Sequence, residues 1–260
     1  MFSKHIRIST ISRSDKMKIE RIILNEERNV TLTAYVPDIS DEMPNMKIRP
    51  AVLVFPGGAY KFCSDREAEP VAFEFMAKGY NVFILRYSLN EHSVFPTPLN
   101  DAVQALTLIR EKSAEWCTNP DKIAVCGFSA GGHLAAAVST MSEVKPDACI
   151  LGYPCILQEI GDVLANPVPS LNEFVTDKTP PTFIVSAADD GLVPVKHSLE
   201  YAKALGENGV SYEMHIFSRG GHGFSTSTSV VSSGEHLEFV KNTKIWIEMC
   251  LVWLEDVFKD

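Results

Sequence analysis

The chain has 260 residues, 45% of them hydrophobic, and a formal net charge of −9 at neutral pH. This length and composition predict one folded domain over residues 1–260. The negative charge argues against nucleic acid or an anionic membrane surface as the main partner, and no apolar run approaches the roughly 20 residues that span a bilayer.

The N-terminal residues and the cysteines indicate a compartment. Residues 1–8 lack the continuous apolar core of a secretory signal, and the six cysteines show no C-x-x-C pair or regular spacing. We therefore expect a cytoplasmic protein with reduced thiols. The polar residues before about Met17 are expected to pack loosely. The sequence leaves the oligomeric state open, with a homodimer as one option.

Alternating apolar runs predict the secondary structure along the chain. A hairpin over residues 18–36 comes first, followed by a polar loop over 37–47. Further strands are predicted at 49–55, 81–87, 122–126, 148–153, 182–187 and 211–217, and helices at 67–78, 99–116, 132–141, 195–208 and 236–258. This alternation predicts an α/β fold with a mostly parallel central sheet and helices on both faces.

One long segment, residues 154–180, fits neither a helix nor a strand. It contains four prolines and little periodicity. Because long irregular insertions in compact domains are commonly functional loops, we expect this segment to form a lid or a wall of a binding pocket.

A glycine pair follows the predicted strand 49–55, at Gly57 and Gly58. Glycines there let a ligand approach the backbone, and the amides of Gly58 and Ala59 are the predicted donors of an oxyanion hole. Tyr60 and Phe62 come next and are candidates to line a substrate pocket, with Tyr60 as the predicted substrate-binding residue; ordinary packing explains both equally well.

The motif Gly127-Phe128-Ser129-Ala130-Gly131 lies between a predicted strand and a predicted helix. A serine between small residues at such a junction is typical of a nucleophile elbow, a sharp turn that exposes the hydroxyl. Ser129 is the candidate nucleophile, and the amide of Ala130 is a further candidate oxyanion donor. His133, which follows the motif, is expected to pack at the helix start.

Two later segments supply candidate partners for Ser129. Asp189 and Asp190 follow the strand 182–187, and His222 lies between glycines after the last predicted strand. His222 is the predicted general base. Asp190 and Asp189 are the two candidates for the acid, and Asp189 has a solvated turn residue or a cap as its structural alternative. The remaining histidines are expected to be surface or satisfied residues.

These motifs together resemble those of small microbial α/β-hydrolase esterases, the carboxylesterases related to acetyl-xylan and feruloyl esterases. The resemblance covers about residues 30–258 and includes Pro56-Gly57-Gly58-Ala59-Tyr60, the Ser129 motif, Asp190-Gly191-Leu192-Val193-Pro194 and Gly221-His222-Gly223. It supports Asp190 through the spacing to Pro194 and implies the catalytic order Ser, Asp, His. Many relatives have His-Gly-Gly where this chain has Pro56 before the glycines.

The resemblance predicts a serine carboxylesterase acting on a small-molecule ester through an acyl-enzyme, with acetyl esters of sugars or xylo-oligosaccharides as candidate substrates. We expect no cofactor, and no H-E-x-x-H motif or cysteine cluster indicates a metal. Two alternatives stay open. One is a serine peptidase of the prolyl-oligopeptidase type, and the other is a hydrolase-fold protein that binds a ligand without catalysis.

Overall fold

The computed structural model describes residues 17–232 and 242–259. Its eight strands form one sheet in the order β1-β2-β4-β3-β5-β6-β7-β8. They are β1 (Met17–Asn25), β2 (Val30–Pro37), β3 (Arg49–Phe55), β4 (Asn81–Arg86), β5 (Thr118–Phe128), β6 (Ala148–Gly152), β7 (Thr182–Ala187) and β8 (Tyr212–Phe217).

The sheet is mostly parallel, as the sequence predicts. Strand β2 runs antiparallel to β1 and β4, and every neighbouring pair from β4 to β8 is parallel. The carboxyl ends of β3, β5, β7 and β8 therefore lie at one edge, so the loops that follow them meet there.

Five α-helices cover the two faces of the sheet among the described residues. They are α1 (Glu69–Met76), α2 (Thr97–Glu111), α3 (Ala130–Met141), α4 (Lys196–Glu207) and α5 (Trp246–Val257). Helices α2, α3 and α4 pack on one face and α1 and α5 on the other. Strand β3 shows why both faces need cover, since Leu53 points into the first layer and Val54 into the second.

The predicted helix ends differ from the observed ones by more than two residues in two places. Helix α2 ends at Glu111 rather than at residue 116, because the chain turns there and buries Trp116 against Phe83 with ring centroids 5.1 Å apart. The last predicted helix begins too early, since residues 243–245 form a 3-10 turn before α5. Residues 236–241 of that prediction, and the loosely packed N-terminal residues 1–16, lie outside the described residues.

Residues 154–180 pack onto the body of the molecule. They contain two 3-10 turns, Gln158–Val163 and Leu171–Phe174. Apolar side chains along the segment are buried in the core layer beneath α3 and α4, namely Ile156, Leu157, Ile160, Leu164, Val168, Leu171 and Val175. The buried His197 ring on α4 accepts hydrogen bonds at Nδ1 from the amides of Ile156 and Leu157, each 3.0 Å long. The start of the segment is therefore fixed to α4.

None of the described helices has the length and apolar character that crossing a membrane requires.

Gly131, in the first turn of α3, lies very close to the backbone at the end of β3. A Cβ atom there would overlap the carbonyl oxygens of Phe55 and Pro56 at the end of β3. Both clashes involve backbone atoms, so no side-chain rotation can relieve them. The glycine thus permits the start of α3 to lie directly against the loop after β3.

We expect Gly131→Ala to lower the free energy of unfolding by about 3 kcal/mol or more, because the added Cβ pushes α3 away from the backbone at the end of β3. The matched control is Gly206→Ala near the end of α4. Its Cβ would lie at an ordinary 3.5 Å from the Tyr212 ring, so stability should be unchanged or slightly higher. Denaturant unfolding followed by circular dichroism measures both variants. Wild-type stability in Gly131→Ala would contradict the close approach.

Candidate active site

Ser129 occupies the turn between β5 and α3 in a strained backbone conformation. Its φ of 53° and ψ of −118° lie outside the regions that residues with a side chain normally adopt. The Ser129 amide donates to the carbonyl of Gly152 at 3.0 Å, which ties the turn to β6. The residue is 7% exposed, and its hydroxyl lines a cavity at the carboxyl edge of the sheet.

The His222 ring lies between Ser129 and Asp190. Its Nδ1 is 2.7 Å from Asp190 Oδ2, and its Nε2 is 2.9 Å from Ser129 Oγ. An ionised carboxylate can only accept, so the ring proton lies on Nδ1 and Nε2 is left to accept from the serine hydroxyl. This is the tautomer in which the ring can take the serine proton.

The two adjacent aspartates contact different partners. Asp190, with a side chain that is 1% exposed, also accepts at Oδ1 from the amides of Leu192 and Val193, both at 2.9 Å. Asp189 accepts at Oδ1 from the amides of Gly220 and Gly221 at 2.9 and 2.8 Å. Asp190 therefore faces the histidine ring, and Asp189 holds the chain that leads to it.

We call residues 56–62 the oxyanion loop. The Gly58 carbonyl accepts from the amides of Lys61 and Phe62, and the Ala59 carbonyl accepts from Ala165 at 2.9 Å. Gly58 has a φ of 126° and Ala59 a φ of 59°. Within the described part of the chain, no hydrogen bond occupies the amides of Gly58 and Ala59, and both residues line the cavity beside Ser129.

Ala130 is the first residue of α3, directly after Ser129. The amides of the first helical turn have no acceptor within their own helix. The Ala130 amide is therefore available as a donor next to the serine hydroxyl. The structure thus places Gly58 and Ala59 in the lining of the cavity with Ser129, and Ala130 directly after Ser129 in the chain.

Tyr60 does not line the cavity, contrary to the prediction that it binds substrate. It is 1% exposed and lies in the core, where its hydroxyl is 2.9 Å from His133 Nδ1. Its apolar ring gains more from burial than from exposure at the site. Phe62, which is 58% exposed, lines the cavity instead.

His133 packs at the start of α3, as predicted. Its Nε2 lies 3.2 Å from the carbonyl of Pro169, so Nε2 carries the proton and Nδ1 accepts from the Tyr60 hydroxyl. Burial lowers the pKa of His133 to about 4. The ring is therefore neutral at physiological pH and joins the oxyanion loop to α3 and to the 154–180 segment.

The cavity around Ser129 has a volume of about 220 Å³. Besides the oxyanion loop and the residues near His222, Val163 from the 154–180 segment forms part of its wall. A larger cavity of about 410 Å³ adjoins it and shares Phe62. The larger one is lined mainly by polar and charged side chains, among them Arg28, Asn90 and Lys61.

Two residues near the site give no signal in the sequence. Glu67 is a carboxylate only 3% exposed that lines the same cavity, although its polar surroundings in the sequence suggest a surface position. The ring of Tyr153, after β6, lies edge-on to His222 with centroids 5.0 Å apart. Neither belongs to a recognisable motif, because their neighbours at the site come from distant parts of the chain.

In the part of the chain that the structure describes, no three His, Cys, Asp or Glu side chains are arranged to hold a metal ion.

Two family models match the chain. The model named BD-FAE matches residues 38–149, and that of the dienelactone hydrolase family matches residues 97–245. The first covers the oxyanion loop and the Ser129 turn, and the second covers Ser129, Asp190 and His222. The matched ranges therefore include every residue that the structure brings together here.

Solved structures of similar chains share the fold over nearly the whole length. An α/β-hydrolase enzyme from a Medee basin deep-sea metagenome library is 44% identical, with a TM-score of 0.88 over 93% of this chain and 98% of that one. An acetyl ester-xyloside bifunctional hydrolase from Caldicellulosiruptor lactoaceticus is 34% identical, with a TM-score of 0.77 over 90% of this chain and 91% of that one.

A curated relative is the acetylxylan esterase of Xylanibacter ruminicola, 32% identical over 68% of this chain. The match covers 42% of that esterase, and the chain spans 38% of another curated relative. The match thus covers less than half of each of these two relatives.

The geometry at Asp190 predicts unequal effects of two adjacent substitutions. In Asp190→Asn, the amides of Leu192 and Val193 hold the new carbonyl oxygen, so the NH2 group faces His222 Nδ1 and imposes the wrong tautomer. We expect labelling of Ser129 by a fluorophosphonate to slow by about 10³-fold or more. In Asp189→Asn, the carbonyl oxygen can still accept from both glycine amides.

Labelling rates measured by mass spectrometry compare the two variants with wild type. Asp189→Asn should stay within about fivefold of wild type, because a retained hydrogen-bond acceptor costs little. A larger loss in Asp189→Asn than in Asp190→Asn would contradict the arrangement.

Proposed function

The chain belongs to the α/β-hydrolase superfamily, among its esterases of the dienelactone hydrolase family, and on that premise we propose that it is a serine carboxylesterase that uses Ser129, His222 and Asp190 as its catalytic triad. The observation that carries this proposal is the continuous pair of hydrogen bonds from Ser129 Oγ through the His222 ring to Asp190. No other serine among the described residues has this pair of partners.

The proposed reaction begins when His222 Nε2 takes the proton of the Ser129 hydroxyl as Oγ attacks the ester carbonyl. Asp190 stabilises the imidazolium that forms, and the amides of Gly58, Ala59 and Ala130 donate to the developing oxyanion. The imidazolium then gives its proton to the leaving alcohol, which leaves an acyl group on Ser129. Water activated by His222 releases the acid in the second half of the reaction.

The acyl group that we propose is short. The cavity of about 220 Å³ beside Ser129 lies below the roughly 300–1,000 Å³ typical of small-molecule pockets, so it suits an acetyl or propionyl group better than a long chain. Val163 supports a role for the 154–180 segment as a wall of this cavity. The wall is packed against the core, which opposes its displacement by longer chains.

We propose a sugar or another polyhydroxylated alcohol for the remainder of the substrate. The adjoining cavity of about 410 Å³ supports this, because its polar and charged lining offers hydrogen bonds to hydroxyl groups. Similar proteins described as an acetylxylan esterase and an acetyl ester-xyloside bifunctional hydrolase support it too. The acyl group would then occupy the smaller cavity and the alcohol the larger one, on either side of Phe62.

Ser129→Ala tests the reaction class. The variant should keep the wild-type fold and lose ester hydrolysis by several orders of magnitude, because the nucleophile is gone. Initial rates on p-nitrophenyl acetate, acetylated xylo-oligosaccharides and an aminoacyl amide measure the loss and identify the bond that is cleaved. One tenth of wild-type activity in the variant, or faster cleavage of the amide than of the esters by wild type, would refute a Ser129 esterase.

A series of p-nitrophenyl esters tests the acyl cavity. We expect kcat/KM to be highest for acetyl or propionyl and to fall steeply beyond about butyryl, since longer chains must displace packed wall residues. Phe62→Ala should extend the accepted chain length, because Phe62 separates the two cavities. Equal turnover of octanoyl and acetyl esters by wild type would exclude a short acyl site.

A further inference from the structure

We propose that Glu67 is a positioning residue whose buried carboxylate fixes the oxyanion loop and the segment carrying His222 relative to each other. The proposal rests on the esterase function proposed above and adds a residue that acts through others. We call residues 220–225 the histidine loop. Glu67 lies between the two loops. It contacts the oxyanion loop directly, through Gly57, and the histidine loop through Tyr153.

The first contact holds the oxyanion loop. Glu67 Oε2 accepts from the Gly57 amide at 2.8 Å, one residue before Gly58. A Cβ on Gly57 would lie 2.6 Å from this oxygen and 3.0 Å from the Ser129 Cβ. The carboxylate therefore packs directly against the residue that sets the direction of the Gly58 and Ala59 amides, and only glycine leaves room for it.

The second contact reaches the histidine loop through Tyr153. The Tyr153 hydroxyl donates to Glu67 Oε1 at 2.6 Å and accepts from the Ser225 amide at 3.0 Å. The Tyr153 ring packs edge-on against both His222 and Phe224. The Ser225 hydroxyl donates to the carbonyl of Arg66 at 2.5 Å, which joins the histidine loop to the residue preceding Glu67.

These contacts suit the ionised form of Glu67, in which both carboxyl oxygens are acceptors. Oε2 accepts from the Gly57 amide, and Oε1 accepts from the Tyr153 hydroxyl, whose oxygen also accepts from the Ser225 amide. Burial raises the pKa of Glu67, while the hydrogen bonds from Tyr153 and Gly57 and the charges of His222 and Arg66 act in the opposite direction.

The raised pKa means that ionisation of this buried carboxyl opposes folding. A group whose pKa is higher in the folded chain than in the unfolded chain stabilises the fold most at pH values below its unfolded pKa. This stabilisation is lost as the pH rises through the folded pKa. An ionised Glu67 therefore lowers the stability of the fold. Because a buried charge lowers stability, Glu67 is better explained by a role at the candidate active site than by a role in stabilising the fold.

Glu67→Gln separates the two roles. Its amide oxygen can accept from Gly57 or from Tyr153, but its NH2 group then faces the other donor. We expect kcat on p-nitrophenyl acetate to fall about 10- to 100-fold, less than the loss on deleting an oxyanion donor outright, with KM within about threefold because the cavity is unchanged. The unfolding temperature should stay within about 3 °C, since removal of the buried charge offsets the lost hydrogen bond.

Glu69→Gln is the matched control. Glu69 also accepts from a tyrosine hydroxyl, that of Tyr35 at 3.0 Å, and it lies two residues further along the chain, away from the cavity lining. Its substitution should leave kcat within about twofold of wild type, as for surface carboxylates generally. Tyr153→Phe provides a second route to the same network, and the double variant with Glu67→Gln should be no slower than the slower single variant.

The outcomes separate the positioning role from the esterase function. If the wild-type chain hydrolyses no ester, the esterase function is refuted. The rate at which a fluorophosphonate labels Ser129 in wild type and in Glu67→Gln then tests the positioning role of Glu67. A wild-type chain that hydrolyses esters, with Glu67→Gln equal to Glu69→Gln in kcat, overturns the positioning role alone. A fall in kcat matched by a fall of more than 10 °C in the unfolding temperature, or fully additive losses in the double variant, also overturns it.

Discussion

The close approach of α3 to the end of β3 is the constraint on which the site depends. Gly131 lets the helix start lie against the carbonyls of Phe55 and Pro56, and the chain can enter that helix from β5 only through the strained turn at Ser129. The strain is local and the packing that maintains it is extensive, since α3 is buried along most of its length. One contact between backbones thus places the serine hydroxyl beside the oxyanion loop.

Two buried carboxylates near His222 are held in different ways. Asp190 contacts the ring nitrogen directly with one oxygen, and its other oxygen receives two backbone amides of its own loop. Glu67 receives one amide and one tyrosine hydroxyl from two other segments. A carboxylate satisfied by distant segments fixes those segments relative to each other, which is how a buried charge can define a geometry that apolar packing leaves loose.

The neutral histidines near the site have a comparable role. His133 connects Tyr60 in the oxyanion loop with Pro169, and His197 receives the amides at the start of the 154–180 segment. Burial lowers the pKa of both rings, so each is a fixed polar link between loops at neutral pH. Segment 154–180 is therefore held by hydrogen bonds and by buried apolar side chains. Val163 lies in the cavity wall as part of this packed segment.

The sequence alone predicted the strands and their mostly parallel arrangement, and it selected Ser129, Asp190 and His222, whose side chains the structure joins by hydrogen bonds. Each of these predictions depends on local signals: apolar runs of strand length, small residues around a turn and residues placed just after a strand. It also favoured Asp190 over Asp189 through the spacing to Pro194. Tertiary structure alone decided that Tyr60 is core while Phe62 lines the cavity, since both follow the same glycine pair and only packing against His133 separates them. Glu67 and Tyr153 were likewise invisible in the sequence. Their partners lie 10 to 86 residues away along the chain, and a contact between distant segments leaves no local pattern from which it could be predicted.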